Sequence, residues 1–384
     1  MIYLDNCATT KPRREVVELI IESLEEDFSN PSSLHSFGHR TEKKLEKSRK
    51  IIADFLNINS KELYFTSGGT ESNNIFINGA VIKNKQIGNK IITTKLEHPA
   101  VGEVFKNLEK SGYEVVYLSS DESGKVDLNQ LQNEMNENVS LVSIMHVNNE
   151  LGTINEIKKA SEIIKFANRN TFFHVDGVQA FGKIPVNLKE LGVDGYSISG
   201  HKIHGPKGIG ALYIKKGIQF YPLFFGGNQE KGIRSGTENT PGIFGFGKAV
   251  EILNNSFLAE DELKGKLRSQ IIKILDRDFT DFVVNTPLDN SPNSILNVSF
   301  LQTKGEVILH YLEQDEIYIS TTSACSSNSK TESNLEKLGK SSEICNGSIR
   351  ICLSYENTME DIEKFMDRLH FAVDDIRKIT MRKR

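Results

Sequence analysis

Two textures alternate along the chain. Short runs rich in β-branched and aromatic residues occur at 63–66, 91–94, 114–118, 141–147, 172–176, 195–199 and 211–214. Helix-length segments lie between them, at 74–84, 101–110 and 156–168 for example. Several of the short runs are apolar throughout rather than alternating, as strands covered on both faces are. Strands interleaved with helices predict a largely parallel sheet with helices on both sides. Upstream, 41–56 carries Leu45, Ile51, Ile52, Phe55 and Leu56 as an approximate helical stripe.

The texture changes after 236–247. A charged helical stretch at 252–276 is followed by strand-like runs at 295–300, 318–320 and 349–353, alternating with two more helices. The pattern predicts an α/β chain in two domains. A large domain at 13–254 holds the mostly parallel sheet, and a smaller α+β domain occupies 255–384, with segment 1–12 packing near it. A length of 384 residues suits two or three domains.

Composition narrows the class. With 38% hydrophobic and 26% charged residues the chain reads as ordinary globular protein. Its 47 Lys and Arg against 51 Asp and Glu give a net charge of −4, so no bulk field attracts nucleic acid, the small basic ending Met381–Arg384 apart. No apolar run approaches the ~20 residues that cross a bilayer. The start MIYLDNCATT carries Asp5 where a secretory leader would need a basic, then apolar, stretch. Cysteines at 7, 325, 345 and 352 form neither a CxxC pair nor a zinc spacing, so no metal site is expected. A cytoplasmic, reduced location with no membrane and no direct nucleic-acid partner is the expectation.

Two apparent phosphate loops fail on inspection. Gly242 to Ala249 fits GxxxxGK but places Ala249 where a magnesium-binding hydroxyl belongs, and it follows Pro241 rather than a strand. Glycine packing at a helix start explains it better. Gly205-Pro-Lys-Gly208-Ile-Gly210 lacks the dinucleotide spacing.

Three other features carry chemistry. FTSGGTES at 65–72 runs from a strand through two glycines into a helix start, whose free N–H groups and Thr70 hydroxyl form either an anion cradle or a plain capped start. Asp176 ends an apolar strand, a position where α/β sheets place ligands and where turns also recruit Asp. Lys202 follows small and β-branched residues and precedes a Gly/Pro-rich loop, so it is either an ordinary surface lysine or a partly buried amine of lowered pKa. Pyridoxal phosphate needs all three: a lysine for a Schiff base, a carboxylate for its pyridine nitrogen, and a phosphate cradle.

A family resemblance rests on motifs in order along nearly the whole chain, Tyr3 to about Asn357. They are YLDNCATT, NPSS at 30–33, FTSGGTESNN, Glu97-His98, NNELG at 148–152, HVDGVQ, SGHKIHGPKGIGALY, RSGTEN at 234–239, SACSS at 323–327 and SIR at 348–350. With these the sequence resembles NifS/IscS-like cysteine desulfurases within the class V aminotransferase family. The resemblance implies a fold-type I pyridoxal-phosphate-dependent transferase. Such an enzyme converts L-cysteine to L-alanine and leaves the sulfur as a persulfide.

The same resemblance implies a role for each matching position. Lys202 is the Schiff-base lysine, Asp176 the partner of the pyridine nitrogen, and Gln179 the neighbour of the phenolic oxygen. Asn149 lies by that oxygen and the substrate, while His98 lies on the ring face. Gly69, Thr70, Ser199 and His201 hold the phosphate, joined by Thr237 from the other subunit of a homodimer. Arg350 and Asn30 face the substrate carboxylate, and Cys325 takes the sulfur for delivery to an acceptor protein, an Fe–S scaffold or a tRNA-thiolation factor. By their residues alone, His98 reads as a cap for the next helix, and Arg350 as equally suited to an internal ion pair or a carboxylate ligand. Cys325, among Ser, Thr and Asn, reads as a reactive exposed thiol, and Cys352, in ICLS, as a buried one.

Cys7 stands where such enzymes usually have Ala or another small residue. His204 stands where Tyr or His is typical, and no long tail follows the last helix. Two alternatives remain on the same fold: a selenocysteine lyase or cysteine-sulfinate desulfinase, and a transaminase that needs no cysteine.

Overall fold

A computed structural model describes residues 1–321 and 332–382. Strand β1 (Ile2–Tyr3) leads to helices α1 (Arg14–Glu26) and α2 (Ser36–Phe55). Alternation then begins with β2 (Leu63–Thr66), α3 (Gly69–Lys83), β3 (Lys90–Thr94), α4 (Pro99–Lys110) and β4 (Glu114–Leu118). It continues through α5 (Leu128–Glu134), β5 (Val139–Met145), α6 (Ile157–Ala167), β6 (Phe172–Asp176), α7 (Leu188–Leu191), β7 (Gly195–Ser199) and β8 (Gly210–Ile214).

These strands form one seven-stranded sheet in the order β2-β8-β7-β6-β5-β3-β4. Only β8 runs antiparallel to its neighbours, so the expected mostly parallel sheet is present. Strands β3, β5, β7 and β8 are buried at every position, which is why they read as continuous rather than alternating apolar runs.

Helix α8 (Thr240–Asp278) is 39 residues long. The side chain of Asn239 accepts from Gly242 N at 3.2 Å and Pro241 sits in the first turn, a sound helix start that the glycines beyond it disguise. Those glycines serve packing. A Cβ on Gly245 would lie 2.9 Å from Ile20 of α1, and one on Gly247 would lie 2.7 Å from Ser48 of α2. The expected division at 254/255 therefore falls inside a continuous helix. Its first half, to Leu253, packs in the core of the large sheet, and Leu267, Ile271 and Ile274 pack in a second core.

Around and beside that second core lie β9 (Phe282–Val284), β10 (Ile295–Phe300), α9 (Gly305–Glu313), β11 (Ile317–Tyr318), β12 (Ser320–Thr321), α10 (Asn334–Lys337), α11 (Ser342–Asn346), β13 (Ser348–Cys352) and α12 (Met359–Arg382), with Leu335 of α10 and Cys345 of α11 packing on Leu151 in a small cluster of their own. An antiparallel sheet runs β12-β13-β10-β9, while β11 pairs in parallel with β1. The strand expected at 318–320 is thus split between two sheets. Through β1, Ile2 and Leu4 join the second core. No helix among the described residues is long and apolar enough to cross a membrane.

Candidate active site

The carboxyl ends of β5, β6 and β7 open onto a cavity of about 230 Å³. Its lining includes Gly69, Thr70, His98, Asn149, Asp176, Gln179, Ser199, His201 and Lys202, nine positions named from the sequence, together with Asn73, Met145, Val147 and Val178.

Asp176 is buried at the last position of β6. Its Oδ2 accepts from Asn73 Nδ2 at 2.8 Å and its Oδ1 from Val178 N at 3.0 Å. The strand beneath is braced by His174, which is held by Ser143 Oγ at 2.8 Å and Ser197 Oγ at 3.0 Å and stacks on Phe76. Full burial lowers the His174 pKa to about 3, so the ring is a neutral core group. Gly177 lets the chain turn directly after Asp176, since a Cβ there would lie 1.8 Å from the ring of Tyr196.

The start of α3 settles the choice left open for FTSGGTES. Gly68, not Thr70, is the N-cap residue, and no side chain caps the helix. The first-turn N–H groups at Gly69 and Thr70 therefore stay available to an anion at the cavity wall. Ser199 Oγ, buried and without a hydrogen-bond partner, lines the same cavity.

Lys202 lies in the short turn after β7 and is half-buried. Its Nζ donates to Cys7 O at 2.7 Å and Ala8 O at 2.8 Å. Burial, and then the charge of Lys183, lower its pKa to about 8, against opposing pulls from Cys7 and Cys352. His201 beside it meets Thr9 Oγ1 at 3.1 Å, and burial with the nearby lysines lowers its pKa to about 4.

His98 combines both of its readings. Its Nδ1 accepts from Ala100 N at 3.1 Å and caps α4, while the ring lines the cavity mouth. Because Nδ1 accepts, the neutral ring carries its proton on Nε2. Desolvation lowers the His98 pKa, Lys202 adds to the effect, and Asp176 opposes it. Asn149 sits in a turn built by its neighbour, whose Oδ1 accepts from Glu150 N and Leu151 N, both at 2.9 Å.

Arg350 is buried on β13, just outside the lining. Its Nη2 donates to Asp5 Oδ1 at 2.9 Å and its Nη1 to Asn149 O at 2.8 Å, while Nε has no partner. The internal ion pair is thus realised, and one of the three guanidinium nitrogens is left without a partner. Asn30 is not brought to the cavity. It is exposed, and its Oδ1 accepts from Ser32 N at 2.8 Å, so within this chain it shapes a turn. Thr237 is likewise exposed and away from the cavity, on the loop before α8. Cys325 lies outside the described residues. Cys352 is buried as expected, and Cys7 packs beside it.

Several groups lie within the quoted motifs but carry no assigned role there. Asn73 could have been found, because it lies one helical turn after Thr70 and is a polar residue on a face that must be buried. Glu97 is fully buried, accepting from Met145 N at 2.8 Å and Thr94 Oγ1 at 3.0 Å, and burial raises its pKa to about 8. The carbonyls of Cys7 and Ala8 reach Lys202 from the other end of the chain. Among the described residues no cluster of three His, Cys, Asp or Glu side chains could hold a metal.

A half-buried lysine and a buried carboxylate face one cavity beside an open helix start, and the sequence matches Aminotransferase class-V over residues 2–365. The chain belongs to the class-V aminotransferase family. It is 43% identical to Cysteine desulfurase IscS of Dictyoglomus turgidum over 380 residues, covering 99% of this chain and 96% of that protein. It is also 41% identical to Cysteine desulfurase IscS of Methanosarcina thermophila, covering 99% of this chain and 93% of that one. Among solved structures, a NifS-like protein superposes with a TM-score of 0.92 at 37% identity, covering 97% of this chain and 99% of that chain. Class-V architecture accounts for the site's place at the strand ends, where the fold leaves backbone donors and strand-terminal side chains free.

Proposed function

We propose that this class-V chain is a pyridoxal-phosphate-dependent cysteine desulfurase. L-cysteine and the Cys325 thiol yield L-alanine and a Cys325 persulfide, with every atom accounted for. The observation that carries the reading is the convergence of Lys202, Asp176 and the uncapped start of α3 on one cavity. The likeness to proteins named cysteine desulfurase supports it.

The residues present fit the cofactor. Gly69, Thr70, His201 and the unpartnered Ser199 Oγ would hold its phosphate, Asp176 its pyridine nitrogen, Gln179 and Asn149 its phenolic side, and His98 its ring face. Pyridoxal phosphate supplies an electrophilic carbon for amines and a sink for the electrons released at the substrate Cα.

Lys202 would hold the cofactor at that carbon and would carry the Cα proton, for which its amine must be neutral. With a pKa of about 8, roughly a tenth of it is neutral at pH 7, some 300-fold more than for an ordinary lysine. Asn73 and the Val178 N–H fix the Asp176 carboxylate in one orientation. His98, held through Nδ1, presents its Nε2 proton to molecules in the cavity. Arg350, on β13 beside the Asn149 turn, would face the substrate carboxylate.

The active unit in this reading is a homodimer in which Thr237 reaches the partner's phosphate site. Helix α1 and the short turn after it expose Val17, Ile21, Leu24 and Phe28 in a stripe suited to an apolar contact. The domain at 13–254 supplies the cofactor site, and that at 255–384 supplies Cys325 and Arg350. The persulfide passes to an acceptor protein serving Fe–S assembly or tRNA thiolation.

Replacing Cys325 tests the reading. The Cys325→Ala protein should keep the cofactor's absorbance and bind L-cysteine, yet release almost no alanine and form no persulfide. Alanine at the normal rate would mean direct elimination, and a lyase in place of a desulfurase.

A further inference from the structure

Lys183 has no part in the motifs, and its surroundings are unusual for a lysine. It is buried, four residues after Gln179 in the turns that follow β6. Among the described residues it forms no ion pair with a carboxylate. Its hydrogen-bond partner is neutral: Nζ donates to Gln179 Oε1.

That contact decides which way the amide points. A lysine can only donate, so the atom it meets must be the amide oxygen. The amide nitrogen is then the other end, and it donates to Cys7 O at 3.0 Å. Cys7 O also accepts from Lys202 Nζ at 2.7 Å. One continuous path thus runs from Lys183 through Gln179 and the Cys7 carbonyl to the Lys202 amine.

We propose that Lys183 is a positioning residue of the active site: its ammonium locks the Gln179 amide in one orientation and sets a positive charge at the far end of the path that reaches the Lys202 amine. This rests on the reading of Lys202 as the reactive lysine.

The other charged and titratable groups around Lys202 come from separate elements. They are Cys7 on the N-terminal segment, Arg350 and Cys352 on β13, His98 at the start of α4, and His201 beside it. Lys183 is the strongest cationic influence on Lys202 among them, and the same charge acts on His201, Cys7 and Lys264. Lys264 has a carboxylate partner, Glu260, at 3.6 Å. Lys183 has no carboxylate partner among the described residues, so its charge acts on the groups of the site, the buried Cys7 thiol included. A buried cation held without a carboxylate is costly and is retained where its field is used.

The test is trace acetylation of the full-length, cofactor-free protein across pH 6–11, with the Lys202 peptide followed by mass spectrometry. The wild-type midpoint should lie at about 8. In Lys183→Met and Lys183→Gln it should rise by roughly one pH unit, as loss of a nearby charge acting through an effective dielectric of ~20 allows. Lys183→Arg should stay within a few tenths of wild type. Gln keeps a donor for Gln179 and removes only charge, so it decides the matter with Arg even if Met does not fold. An unchanged midpoint in Lys183→Gln, or a rise in Lys183→Arg equal to that in Gln, overturns the proposal. Borohydride linkage of pyridoxal phosphate tests Lys202 as the reactive lysine separately, because acetylation reads the field whether or not the cofactor binds there.

Discussion

At the Asp176 end of the cavity a lone carboxylate is held by neutral donors, whereas at the Lys202 end three cationic side chains share one small region. Asp176 is met by an amide and a backbone N–H, with neutral His174 below it and Glu97, its carboxyl raised to about 8, nearby. Lys202 has Lys183 and Arg350 acting on it, and only Arg350 has a carboxylate partner, Asp5. The first end is organised by hydrogen bonds between adjacent strands, which fix geometry. The second is organised by charge brought from residues 5–8, 179–183 and 350, which fixes protonation. A lysine kept near neutrality needs the crowding that would be destructive around the carboxylate.

Breaking the cationic end outright gives the largest effect. Lys202→Ala should lower alanine formation from L-cysteine by at least ~10³-fold, since a positioned proton carrier and the cofactor's anchor go together. Circular dichroism should show the fold intact. Breaking the carboxylate end acts on stability first. Gly177→Ala puts a methyl against the Tyr196 ring and should cost about 1–3 kcal/mol in denaturant unfolding.

The contrast sharpens with pH. Only neutral Lys202 attacks a carbonyl, so cofactor uptake by the cofactor-free protein should rise about tenfold per pH unit below 8 and flatten above it. Stopped-flow absorbance would follow this. The smallest effect comes from Glu97→Gln. Glu97 has a folded pKa raised above its unfolded value near ~4.3, so its contribution to stability is present in acid and is lost as pH rises through about 8. Wild type should therefore gain stability relative to Glu97→Gln as pH falls from 8 toward 5, with little difference in turnover at pH 7. Paired melting curves would measure it.

The same contrast explains what could be read in the sequence. Strands β2, β4, β6 and β7 stand where the β-rich runs place them: β6 and β7 lie inside the sheet and are almost wholly buried, while β2 and β4 form its edges and keep β-branched and aromatic residues there. Helix α3 begins at Gly69 rather than near 74, since an anion-ready start needs no capping side chain to announce it. Helix α8 runs through the expected domain division, because its glycines face α1 and α2 rather than breaking the helix. Asp176, Ser199 and Lys202 each end a strand or follow one directly, so local pattern reveals them. Lys183, Glu97 and the Cys7 carbonyl are different. Their importance depends on burial and on partners far away in sequence, and neither is written in neighbouring residues.

The central claim is that Lys202 is the reactive amine of this cavity. Incubation with pyridoxal phosphate, reduction with borohydride and peptide mapping tests it most directly. The account predicts a single reduced cofactor on the peptide carrying Lys202, with none on Lys183 or Lys207. A label on another lysine, or no label at all, would contradict it.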